Sequence, residues 1–132
     1  MSVARVRGIE LAYDSAGAGQ PVLLLHGFPF NRSMWRGQAE FLSASYQVIT
    51  PDLRGHGETT VTETATMDEM ASDVGLLLDE LKIERAVIGG LSMGGYVTLA
   101  FYKKFPQRVR ALVLAGTRPQ ADTNEAKQAR EQ

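Results

Sequence analysis

The sequence predicts an α/β fold, a mostly parallel sheet flanked by helices. Three observations carry this. Short apolar runs, Val22-Leu23-Leu24-Leu25, Ala86-Val87-Ile88 and Ala111-Leu112-Val113-Leu114-Ala115, have the character of strands buried on both faces. Longer stretches between them place apolar residues at helical spacing. The two kinds of segment alternate along the chain, the pattern of a parallel sheet covered by crossover helices.

Each element follows from local chemistry. Val3 to Tyr13 alternates apolar and polar residues and predicts one or two edge strands, and Gly17 to Pro21 predicts a turn before the Val22–Leu25 strand. A helix is expected from near Ser33 to about Ser43, with Met34, Trp35, Phe41 and Leu42 on its inner face. Tyr46 to Thr50 is the next strand, ended by Pro51. Thr66-Met67-Asp68-Glu69 has the form of a capping box, and Met67, Met70, Ala71, Val74, Leu77, Leu78 and Leu81 behind it share one helical face. After Ala86–Ile88 comes a glycine-rich turn, then a helix from Tyr96 to Lys104 that stops near Phe105, because Pro106 disfavours helical geometry before it. Ala111 to Ala115 is the last strand. Asp122 to Gln132 is helix-prone but has almost no large apolar residue, so it cannot cover a core by itself.

Bulk properties narrow the functions. A chain of 132 residues suffices for one compact domain and not for two. With 14 Lys and Arg against 15 Asp and Glu, the net charge of -1 points to neither nucleic acid nor membrane as a partner. The absence of cysteine excludes disulfides, thiolate nucleophiles and Cys-based metal sites. No long apolar region follows Met1–Arg7 and no run approaches a membrane span, so a cytoplasmic location is expected. His26 and His56 are far apart with no supporting ligands, so no metal is expected, and no motif calls for a cofactor.

The chemistry centres on Gly90-Leu91-Ser92-Met93-Gly94, a G-x-S-x-G between a strand and a helix. A serine at the tip of so sharp a turn needs neighbours without side chains two residues away on each side, which Gly90 and Gly94 provide. The turn lifts the hydroxyl clear of the sheet and sets it at a helix N-terminus, where negative charge is favoured. This makes Ser92 a candidate nucleophile; the bland alternative is a glycine turn with an incidental serine.

His26-Gly27-Phe28-Pro29 follows the Val22–Leu25 strand directly. Acyl transfer needs two backbone donors aimed at the oxygen that becomes negative, and the N–H groups of Phe28 and Met93 are the candidates. Gly27 permits close backbone approach. His26 is read as holding the loop by hydrogen bonds rather than as the base, and His56, in Asp52-Leu53-Arg54-Gly55-His56-Gly57, is read in the same way.

These three motifs, in this order, resemble the α/β-hydrolase superfamily over Val3 to about Pro119, and most of all its small esterases and enol-lactonase-like members. The resemblance implies that Ser92 is the nucleophile, with Phe28 and Met93 supplying the oxyanion hole. It implies that acid and base follow the serine, beyond a helical lid. No histidine follows His56, so acid and base are not expected in this chain, and Asp122 is not assigned as the acid. The fold is then expected to stop before the lid and the last strands, with residues 1–118 as the N-terminal part of the core and 119–132 as the start of a lid helix.

The function expected is hydrolysis of a small carboxylic ester or lactone through an acyl-enzyme on Ser92. Alternatives within the superfamily are a thioesterase, a C–C bond hydrolase or a perhydrolase; outside it in kind is a non-catalytic binding or signalling protein on the same scaffold. Superfamily members that open epoxides or remove halide use aspartate as nucleophile, which serine at position 92 opposes. The apolar Ala111–Ala115 strand is expected to pair with a C-terminal half chain or with a second copy.

Overall fold

The structure, a computed structural model, describes residues 1–116. Six strands form one sheet: β1 (Ser2–Val6), β2 (Ile9–Ala16), β3 (Gln20–Leu25), β4 (Tyr46–Pro51), β5 (Ala86–Leu91) and β6 (Val109–Ala115). Three helices accompany it: α1 (Arg36–Leu42), α2 (Met67–Glu80) and α3 (Met93–Lys104). The strand order is β1-β2-β4-β3-β5-β6. β2 pairs antiparallel with β1 and β4, while β4, β3, β5 and β6 run parallel. Only β1 of the first two strands is therefore at an edge.

Burial explains why β3 is apolar throughout. Leu23 and Leu25 join Leu11, Ile49 and Ile88 beneath α2 and α3, packing on Met70, Val74, Leu77, Leu78 and Phe101. Val22 and Leu24 point the other way and, with Val48, meet Trp35, Ala39 and Leu42 around α1. A strand sandwiched between two helical layers has no face left for polar side chains.

Three elements differ from the sequence reading. The segment at 32–42 opens as a 3-10 turn, Arg32–Trp35, capped by the Asn31 carboxamide oxygen, which accepts from Ser33 N–H at 2.9 Å. Phe41 is not on the inner face of α1 but 80% exposed. Adjacent helical residues are rotated by about 100°, so once Leu42 faces the sheet Phe41 turns to solvent. Second, β5 runs on through Gly89 and Gly90, and α3 starts at Met93 rather than Tyr96. The two glycines stay in the ladder opposite Leu24 and Leu25, and the side chains of Leu24 and Val113 fill the space beside Gly89. Third, Met67 sits exposed at the open first turn of α2, while Met70, Ala71, Val74, Leu77 and Leu78 are buried.

β6 pairs with β5 alone among the described residues, and Val113 is 55% exposed. The expected lid entry from 119 and Asp122 lie outside the described residues. No described helix is long and apolar enough to cross a membrane.

The start of α2 is held by both halves of the capping box. Glu69 N–H donates to Thr66 Oγ1 at 3.0 Å, and Thr66 N–H donates to the Glu69 carboxylate at 2.9 Å. That second bond holds the Glu69 carboxyl below its ordinary pKa. Thr66→Ala should cost about 1 kcal/mol of unfolding free energy, read as a lower urea midpoint at unchanged slope; an unchanged midpoint would show that the box does not support the helix.

Candidate active site

The turn at Ser92 is built backbone on backbone. β5 ends at Leu91 and α3 begins at Met93, so a single residue reverses the chain. Ser92 takes φ 54 and ψ -112, a conformation that costs an L-residue about 1–3 kcal/mol. It persists because it is overdetermined. Ser92 N–H donates to the Ala115 carbonyl at 2.9 Å, and the Ser92 carbonyl accepts from Tyr96 N–H at 3.1 Å. A Cβ on Gly90 would overlap the Gly94 carbonyl, and one on Gly94 would overlap the carbonyls of Leu25 and His26. Ser92 itself is exposed.

The loop after β3 lies against this turn. A Cβ built on Gly27 would stand 3.5 Å from Ser92 Cβ and 3.0 Å from the Leu91 carbonyl oxygen. Both loops leave the same, carboxyl end of the parallel strands, where α/β sheets bind ligands. Phe28 follows Gly27 with its ring 70% exposed. Met93, the first residue of α3, has no intrahelical partner for its N–H. Gly27, Phe28, Ser92 and Met93 are thus brought together.

His26 is a joint between two loops. It is fully buried, and its Nε2 accepts from Leu53 N–H at 2.9 Å. Nδ1 lies 3.0 Å from the Gly27 carbonyl, to which it donates. Both ring nitrogens are therefore occupied and the tautomer is set. Burial lowers the His26 pKa from its ordinary value, with His56 adding to the effect, while the Gly27 hydrogen bond and Asp52 oppose it. His56 packs beside it with ring centroids 5.1 Å apart, meets Phe28 edge to face at 5.8 Å, and donates from Nδ1 to the Arg54 carbonyl at 3.0 Å.

Two ion pairs fix the loop that holds His56, and neither partner outside the loop was evident from sequence. Asp52 is fully buried; its carboxylate accepts from Arg32 N–H at 2.7 Å, from Glu58 N–H at 2.9 Å and from the Arg32 guanidinium. Arg54 reaches α2, donating from Nε and Nη2 to the Asp73 carboxylate at 2.9 and 2.7 Å. A polar residue at the helix face between Met70 and Val74 was the signal for Asp73. Arg32 carried none.

A separate cavity lies elsewhere. It measures about 620 Å³ and is lined by Asp14, Arg32, Arg36, Asp52 and Glu58 among others, but not by Ser92, Gly27 or Phe28. Its charges largely neutralise one another around Arg32. No described group of three His, Asp or Glu side chains is arranged to hold a metal ion.

Asp73→Ala leaves the Arg54 charge buried without its partner and should lower stability by about 3 kcal/mol, measured by urea unfolding; a loss within experimental error would mean that the pair is solvated and does not anchor the loop. For His26 the sign follows from its lowered pKa. Its contribution to stability is fully present above the ordinary value of 6.5 and is lost as pH falls from there through the lower folded value. Wild type should therefore weaken as pH falls below about 6.5, while still above the carboxylate range, with a slope that His26→Gln reduces. Equal slopes in both proteins would assign the effect to other groups.

Residues 20–132 match the alpha/beta hydrolase fold family. Among solved structures, a thermophilic esterase from Thermogutta terrifontis is 47% identical, with a TM-score of 0.86 over 96% of this chain and 48% of its own. Est816, described as an N-acyl homoserine lactone degrading enzyme, is 35% identical, with a TM-score of 0.83 over 86% of this chain and 44% of its own. Epoxide hydrolase 3 of Siraitia grosvenorii is 41% identical over 110 residues, 80% of this chain and 35% of that protein. The chain thus spans less than half the length of each of these relatives. With the sheet order, the strand–turn–helix at Ser92 and these matches in agreement, the chain belongs to the alpha/beta hydrolase fold family.

Proposed function

We propose that the chain supplies the nucleophile and oxyanion hole of a serine hydrolase acting on a small carboxylic ester or lactone. The observation that carries this is the exposed Ser92 at φ 54, with the Gly27–Phe28 loop packed against it. Ser92 Oγ attacks the acyl carbon and passes its proton to a base. The carbonyl oxygen becomes negative and is met by the N–H groups of Phe28 and Met93, with the N-terminus of α3 adding a favourable field. The tetrahedral intermediate collapses, the C–O bond breaks, and the alcohol leaves with the proton. Water then releases the acid from the acyl-enzyme.

We assign neither histidine of this chain as the base. His26 has both nitrogens occupied beneath the loop, and His56 is held in its own loop, packed against His26 and Phe28. By the resemblance, acid and base follow the serine, and no histidine follows His56, so we assign both outside these 132 residues. The likeness to epoxide hydrolases is read as a shared scaffold, since serine rather than aspartate stands at the turn. The esterase and lactone-degrading relatives favour an ester or lactone over the thioester, diketone and peracid alternatives.

The test is fluorophosphonate labelling and p-nitrophenyl ester hydrolysis, with Ser92→Ala as control. In a polypeptide that carries the base, the substitution should lower kcat by about 10⁶-fold, and the label should map to Ser92. The 132-residue chain alone should retain only the roughly 10³–10⁴-fold advantage over water that an oxyanion hole and binding leave. Full activity in Ser92→Ala would sink the assignment. Ordinary enzyme rates from this chain alone, lost in Ser92→Ala, would place a base within it.

A further inference from the structure

The opposite end of the parallel strands carries a second cleft. It measures about 380 Å³ and lies where β3 and β4 begin, beside the turn from α2 into β5. Six residues define its chemistry: Gln20, Gln47, Lys82, Glu84, Arg85 and Arg110. β5 separates it from Ser92, a distance of about 20 Å at 3.3 Å per strand residue, so it takes no part in the chemistry proposed above and does not depend on it.

Its charges are unbalanced. Lys82, Arg85 and Arg110 form no ion pair with any described residue, whereas Arg108 on its flank is already committed to Asp79 at 2.7 Å. Glu84 is the single carboxylate on the lining, against three cations. The backbone contributes to the arrangement: Lys82 takes φ 58, outside the usual range for a residue with a side chain, at the turn that brings Lys82 and Arg85 to one rim.

We propose that this cleft binds a compact oxyanion, a phosphate group either free or carried on a small organic molecule. Two guanidinium groups suit phosphate because their planar donor forks match its oxygens in pairs. Lys82 adds a compact cation. The cleft volume suits a small molecule rather than a macromolecular surface.

The experiment is titration of the full chain with inorganic phosphate, pyrophosphate and a sugar phosphate, followed by ¹H–¹⁵N NMR. Saturable shifts are expected in the backbone of Lys82 to Arg85, with Met93 unmoved. Arg85→Gln and Arg110→Gln should each weaken binding about tenfold, the scale of one charge-assisted contact, and leave the melting temperature unchanged because both side chains are exposed. Equal affinity for free phosphate and the phosphoester would assign recognition to the phosphate alone; tighter binding of the phosphoester would identify an organic phosphate as the ligand. Shifts that never saturate, that spread equally to Lys103 and Lys104, or that survive both substitutions would overturn the proposal and leave only diffuse attraction to surface charge.

Discussion

Everything at the candidate site depends on how closely three backbone segments approach one another. The end of β3, the end of β5 and the first turn of α3 meet with no side chain between them, because Gly90 and Gly94 have none to interpose. Backbone contact of this kind is stiffer than side-chain packing, since there is no rotamer to absorb an error. It holds Ser92 in a conformation that the residue would leave if it were free. It also aligns the Gly27 loop with the start of α3, so the position of one sets the position of the other.

Around this centre the loops are tied by buried polar groups rather than by apolar contacts. Asp52 gathers the 3-10 turn at Arg32 and the backbone at Glu58; Arg54 ties the same loop to Asp73 on α2; His26 connects it to the loop after β3. Each group is costly to bury alone and acceptable once its partners are present. Loops cannot use the sheet ladder to satisfy their backbone, and these side chains do so in its place.

Much of this was legible in the sequence for a physical reason. The apolar runs at Val22–Leu25 and Ala86–Ile88 have one stable use, burial between layers, and the spacing from Met70 to Leu78 has one face. The glycines at 90 and 94 marked a close approach. What stayed hidden depends on distance along the chain. Nothing near Arg32 reveals that it will meet Asp14, Asp52 and Glu58, and Phe41 could be called buried only because the register of α1 was unknown. Gly89 and Gly90 suggested a turn, but cross-strand neighbours kept them in β5. The pairing of Arg54 with Asp73 needed the loop and α2 to be placed first.

The strand order also governs when the site can form. The β1–β2 hairpin closes locally, but β3 must wait for β5, and Val22 finds Val87 only after the whole of α1, β4 and α2 has been threaded. Contacts so distant along the chain form slowly, because the entropy of closing the loop is lost before any pairing compensates for it. The junction of Gly94 with the Leu25 and His26 carbonyls lies on that late pairing. A chain caught partway would hold its hairpin and its helices yet have no bend at Ser92, so local order is a poor reporter of whether the site exists.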